Sequence, residues 1–261
     1  MAAAADVLSS LLAALADGSV EVVDLTHPLS ERTPVIGLPE QFAPTPGFTR
    51  RELSHYDERG PAWYWNAFES AEHVSTHFDA PVHWITGREG DDVASVPPAR
   101  LIGAAAVVDR TAQAAADADY LLGLDDVRAF EEEHGPLPAR GWLLLRTGWS
   151  TRHDDPDAFL NNDEGGPHWP GPSPELARWL AEETDLLGFG SEAVGIDAGI
   201  AHSFDPIYPA HHHLLGAGKY GLASLANLDR LPATGAVVIA APLRIDRGSG
   251  SSMRALALVP R

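Results

Sequence analysis

Apolar residues gather in short runs of strand length, separated by stretches rich in Pro, Gly and Asp. VEVVDL (20–25), IGAAAVVD (102–109) and WLLLRT (142–147) read as strands buried on both faces. AWYWNAFES (62–70) is an aromatic-rich strand. LLGFG and AVGID within 186–197, VVIAAPLRI (237–245) and ALALVP (255–260) supply the remaining strand signals. Three segments carry helical periodicity instead. In residues 1–18, Leu8, Leu11, Leu12 and Leu15 fall at helical spacing and Gly18 suits a C-terminal cap. LDDVRAFEEEHG (124–135) has early acids and a closing Gly, and PELARWLAEET (174–184) follows Ser173 as N-cap with Pro174 in the first turn. Residues 28–48 hold five prolines and form an irregular loop, and residues 153–172 are a polar excursion.

Strands outnumber helices, so the pattern predicts an α/β or α+β chain and argues against a doubly wound sheet. No linker or repeat divides the 261 residues, and the expectation is one domain covering 1–261. Lys and Arg number 18 against 37 Asp and Glu, a net charge of −19. Nucleic acid is excluded as a partner, because phosphate binding needs a basic footprint. No apolar run reaches the ~20 residues that span a bilayer. The N-terminal segment has no basic start and carries Asp6 ahead of its leucines, so it reads as a helix rather than a secretory leader, and the protein as cytoplasmic. The sequence contains no Cys, which removes thiolate nucleophiles, disulfides and Cys-based metal sites together.

Chemistry concentrates in Glu72-His73-Val74-Ser75-Thr76-His77-Phe78-Asp79-Ala80-Pro81-Val82-His83-Trp84. His73 and His77 would share a face on a helical turn, and Asp79 follows as the chain leaves it. Two imidazoles and one carboxylate form a facial metal triad with positions left for water and substrate. His83 is either a further ligand or a general base, since an imidazole beside an activated water has a suitable pKa. In the triplet His211-His212-His213, consecutive side chains diverge, so His211 or His212 faces the site. GAGKYG (216–221) matches a dinucleotide fingerprint by letter only, because no strand leads into it, and reads as a Gly-rich turn. No nucleophile elbow and no phosphate-binding loop occur in the sequence.

HVSTHFDAPVH (73–83) resembles the H-x-G-T-H-x-D-x-P-x-H signature of the cyclase family of metal-dependent hydrolases. That family includes bacterial kynurenine formamidase, isatin hydrolase and trans-dienelactone hydrolase. Ser75 stands where the signature has Gly. The resemblance extends to DLTHPLSERTP (24–34), VGIDAGIAHSFDP (194–206) and the stretch 211–258, the last most similar to the isatin-hydrolase-like branch. It implies a swivelling β/α fold, with a mixed curled sheet and helices outside, and a homodimer or homotetramer. It implies His73, His77 and Asp79 as metal ligands and His83 as general acid and base. His211, or its neighbour His212, corresponds to the family's later His. Formamidases of the family add a Glu for a second zinc, but Ala223 and Ser224 stand at that place. The resemblance therefore implies one divalent ion, Mn²⁺ before Zn²⁺.

The expected reaction is hydrolysis of a small cyclic amide such as isatin by metal-activated water. A lactone or an arylformamide is the alternative substrate. His83 would take the water proton and return it to the leaving group. Trp63, Trp84, His211, His212 and Ser224 are the candidate substrate contacts, with Trp65, Phe68, Phe204 and Tyr208 also near motif segments. Two other classes share the triad: a binding protein with a structural metal, and a non-haem Fe(II) oxygenase, which usually spaces its ligands differently.

Overall fold

The apolar runs pair into a wall of strands that closes on itself. The computed structural model describes residues 2–38 and 41–261. Its strands are β1 (Val20–Asp24), β2 (Thr49–Asp57), β3 (Gly60–Glu69), β4 (His77–Asp79), β5 (Ile102–Asp109), β6 (Trp142–Arg146), β7 (Gly188–Ser191), β8 (Tyr220–Ala223), β9 (Val237–Pro242) and β10 (Gly250–Pro260). Around the wall the order is β10-β9-β5-β6-β7-β8-β4, and β4 returns to β10. Seven strands thus form a closed mixed barrel, where the expectation was a mixed sheet curled around the site. β5, β6, β7 and β8 run parallel, while β4, β9 and β10 pair antiparallel with their neighbours. β1 lies along the far end of β10, outside the closure.

Alternation along β5 and β6 explains why both read as continuous apolar runs. Ala105, Val107, Trp142 and Leu144 join one core with Phe78, Tyr220 and Leu222. Ala106, Val108, Leu143 and Leu145 face the opposite way, into a second core. That second core is covered by helices α2 (Leu124–His134) and α3 (Pro174–Glu182), through Val127, Phe130, Leu176 and Leu180. Asp126 caps the start of α2 by accepting from Gly123 N–H at 2.8 Å, and Ser173 Oγ caps α3 by accepting from Leu176 N–H at 3.1 Å. Buried Lys219 closes the other end of α3: its ammonium donates to the carbonyls of Leu180 and Thr184. α1 (Ala2–Asp17) matches the expected N-terminal helix and ends at Gly18, whose φ of 78° supplies the left-handed cap.

Three expectations change. Strand character at 186–197 stops at Ser191, because buried Glu192 turns to collect the backbone N–H groups of Thr147 and Gly148. The 153–172 excursion contains a helical turn, Pro156–Leu160, and is pinned by His168 held between Asp119 and Asp163. The strand at 62–70 is one arm of a hairpin with β2 that pairs with no barrel strand and exposes Tyr56, Trp65 and Phe68. Among the described residues, no helix is long and apolar enough to cross a membrane.

Candidate active site

The motif sits on a bend followed by a strand, not on the helical turn expected. Ser75 is the reason, since its φ of 59° breaks any helical path between His73 and His77. The conformation is the one that the Gly of the family signature adopts without strain. The chain then enters β4, where alternate residues share a face. Phe78 points into the barrel core, which places His77 and Asp79 together on the other face. His73 folds back across the bend, and the turn Pro81–His83 carries His83 over it. His83 stacks on His73 with ring centroids 3.7 Å apart.

The protons of two imidazoles are committed outward. His77 Nδ1 donates to the Ser75 carbonyl at 2.7 Å. His73 Nε2 donates to Ser249 Oγ at 2.9 Å, and that hydroxyl spends its own proton on Glu72 Oε2 at 2.5 Å. The inner nitrogens then present bare lone pairs. His73 Nδ1 lies 2.8 Å and His77 Nε2 3.3 Å from the same oxygen, Asp79 Oδ1. Asp79 is 1% exposed, and its Oδ2 has no hydrogen-bond partner. Converging lone pairs around an unsatisfied buried carboxylate are the donor set of a divalent cation. Donor atoms of His73, Asp79 and His83 also lie within 4.8 Å of one another.

Two glycines make room for this packing. A Cβ on Gly221 would stand 2.5 Å from Asp79 Oδ2 and 2.9 Å from Ile196, and one on Gly250 would stand 2.3 Å from His73 Cε1. Gly221→Ala is therefore expected to fold yet bind metal about 10–100-fold more weakly, as losses around a ligand typically do. Isothermal titration of the chelated protein with Mn²⁺ reads the shift, and unchanged affinity contradicts it.

His211 closes the other side of the site. It begins a single π-helical turn, His211–Leu215, and its ring lies 5.5 Å from that of His83 and 5.0 Å from that of Trp84. Tyr208 packs on Trp84 at 5.7 Å. Of the two histidines expected here, His211 meets the site, while His212 packs on His213 at 4.9 Å. Ser224 is buried behind the motif: its hydroxyl lies on the Ala193 carbonyl and its own carbonyl accepts the Thr76 hydroxyl at 2.6 Å. Trp63 lies on the hairpin with its indole folded over Gly60, 49% exposed. A cavity of about 630 Å³ adjoins the bend at Glu72, Ser75 and Thr76, and none of His73, Asp79, His83 or His211 lines it. Sequence reasoning passed over Asp197 and Ser249, which hold the imidazoles of His211 and His73, and Glu72, which holds Ser249. Each pairing, of Asp197 with His211, of Ser249 with His73 and of Glu72 with Ser249, joins residues well separated in the chain, so spacing carried no signal.

Burial first, and then the charge of His73, brings the His83 pKa down to about 3. His27 stacks face to face on His153 at 3.8 Å, and burial with that neighbour lowers His27 to about 4. Burial lowers His153 too. The unfolded chain therefore takes up protons near pH 6.5 that the folded chain refuses, and stability falls as pH drops below that value. His211 contributes in the opposite sense, because Asp197 raises its pKa against the effect of burial. Burial lowers His213 as well, while Asp119 and Asp163 raise His168, so four depressed imidazoles stand against two raised ones. The Tm of the chelated protein is expected to fall by several degrees between pH 7.5 and 5, and His27→Phe to reduce the fall. A flat profile in calorimetry contradicts this.

The Cyclase family model matches residues 23–198. The chain belongs to the cyclase family. It is 48% identical over 257 residues to the isatin hydrolase of Roseibium aggregatum, covering 97% of each chain. Its fold superposes on the crystal structure of an isatin hydrolase bound to the product analogue thioisatinate, with a TM-score of 0.97, 48% identity and 99% of each chain covered. Isatin hydrolase A from Ralstonia solanacearum is similar at a TM-score of 0.94 and 48% identity, over 97% of each chain. This cyclase-family member thus shares both its barrel and nearly half of its residues with enzymes named for one cyclic amide.

Proposed function

We propose that this protein is a metal-dependent hydrolase that opens the cyclic amide of isatin to the ring-opened carboxylate. One observation carries the chemistry: the outward-committed protons of His73 and His77, which leave two lone pairs on Asp79 Oδ1. The 48%-identical isatin hydrolases support the choice of substrate. His73, His77 and Asp79 hold one divalent ion, Mn²⁺ in preference to Zn²⁺. The donor set suits either, and buried Ala223 and Ser224 offer no carboxylate for a second ion. When bound, the ion supplies a Lewis acid that acidifies water and polarises a carbonyl.

His83, neutral and buried beside the ligands, takes the proton of the attacking water. Trp84 and Tyr208 wall the space between His83 and His211 and suit a flat aromatic ring. The reading includes a single domain of the swivelling β/α fold, supported by barrel strands drawn from residues 77 to 260. It also includes a cytoplasmic dimer or tetramer, the assembly being supported by the aromatics that the β2–β3 hairpin exposes.

The test is a panel of isatin, N-formylkynurenine and a dienelactone, assayed with the chelated protein reloaded with Mn²⁺ or Zn²⁺. Isatin turnover restored by Mn²⁺ is expected. Preference for the formamide or the lactone would move the assignment within the family, and no turnover of any of the three would overturn it.

A further inference from the structure

Ser75, at a φ of 59°, holds a backbone angle that a residue with a side chain adopts only when its surroundings insist on it. The angle matters to the chemistry, because the Ser75 carbonyl accepts His77 Nδ1–H and so turns His77 Nε2 toward Asp79. The insistence comes from outside the motif. Ser75 is buried, and its hydroxyl lies 3.4 Å from His153 Nε2. The His153 ring lies flat on that of His27, with centroids 3.8 Å apart and planes within 3°. His27 in turn donates its main-chain N–H to Thr76 Oγ at 3.0 Å, and that hydroxyl donates to the Ser224 carbonyl at 2.6 Å. Ser75 and Thr76, which lead into His77, are thus gripped by one stacked pair. Both halves of the pair are anchored in the barrel rather than in the motif. Leu25, two residues before His27, donates to the Ala255 carbonyl and accepts from Ala226 N–H, each at 2.9 Å. His153 follows the turn Trp149–Arg152, where Ser150 Oγ donates to buried Glu192 at 2.9 Å. The Phe159 ring stands edge-on to His153 at 5.2 Å, and His153 is itself buried.

We propose that the His27–His153 stack is a clamp that positions His77 for the metal, by holding the bend at Ser75 where a glycine would adopt the same angle freely. The proposal rests on the ligand set of the hydrolase reading above. His27 and His153 are positioning residues: they act on the ion through the Ser75 hydroxyl, the Ser75 carbonyl and the His77 ring in turn. Partners behind a ligand tune its grip on a metal in this way. The clamp also accounts for the residue type at position 75. A serine there loses the freedom of the signature glycine and gains a hydroxyl that His153 can hold.

The experiment titrates the chelated parent and its variants with Mn²⁺ by calorimetry, and follows the His77 Nδ1 proton by NMR in the metal-free state. His153→Phe keeps an aromatic ring on His27 but loses the nitrogen that faces Ser75. It is expected to bind Mn²⁺ about 10–100-fold more weakly and to lose the hydrogen-bonded His77 proton signal. His153→Gln gives Ser75 a polar partner again and should bring affinity back to within about threefold of the parent. The decisive comparison is made in Ser75→Gly, where the hydroxyl is gone and the backbone holds the angle unaided. In that background His153→Phe should cost less than about threefold, because the contact it breaks no longer exists. Parent-like affinity in His153→Phe, equal losses in both backgrounds, or a loss that Gln does not recover assigns His153 to packing alone and overturns the clamp. If His153→Phe fails to fold, Ser75→Ala deletes only the hydroxyl and should weaken Mn²⁺ by the same about 10–100-fold. Parent-like affinity in that variant overturns the clamp equally. A parent that binds no Mn²⁺ overturns the ligand set itself, and the hydrolase reading with it.

Discussion

Asp79→Ala is expected to abolish metal binding and reduce isatin turnover to background, while leaving a folded protein. The two flanking imidazoles keep their outward hydrogen bonds to Ser75 and Ser249, so their rings stay in place. What disappears is the oxygen on which both lone pairs converge, and two neutral nitrogens alone hold a divalent ion poorly. Water at the site then loses the acidification that a bound ion would supply. The metal-free variant should be as stable as the metal-free parent or more so. The substitution removes an ionised, fully buried carboxylate whose Oδ2 has no partner. Calorimetry separates the two effects: saturating Mn²⁺ at 100 times its Kd stabilises the parent by about 2.7 kcal/mol and the variant not at all. Metal analysis near one ion per chain in Asp79→Ala, with turnover intact, would remove the triad as the centre of the chemistry.

His83→Ala produces the second large effect, and of a different kind. The variant is expected to keep its metal, because the lone pairs of His73 and His77 and the Asp79 oxygen remain. It should lose about 10²–10⁴ in kcat, the usual worth of a positioned general base. Burial and the neighbouring His73 keep the parent imidazole deprotonated at neutral pH, so the base is ready without a prior proton loss. Metal content and kcat measured on the same preparation decide the point. A loss of metal together with activity would make His83 a fourth ligand, which its closeness to His73 and Asp79 allows geometrically.

Much of the barrel was readable because burial on both faces leaves a plain mark. β5 and β6 are apolar at every position that meets either core, so their runs stand out in the sequence. β2 carried no such mark. Thr49–Asp57 is polar on both faces because its hairpin stands clear of the barrel. The residues of the site were legible by type, and their arrangement was not. Helical spacing between His73 and His77 was overridden by one backbone angle at Ser75, a residue type that does not itself announce positive φ. Asp197 and Ser249 could not be found by spacing at all, because the fold brings them to His211 and His73 from 14 and 176 residues away.

β4 is three residues long, yet among the described residues it is the only piece joining β8 to β10 around the wall. Two of those three residues are His77 and Asp79. The shortest stave of the cask therefore carries the proposed rivet, and an ion gripped there would also clamp the hoop shut. On the proposed ligand set, loading of the cation and completion of the cylinder would reinforce one another, so starvation for metal would weaken the whole vessel along this single seam.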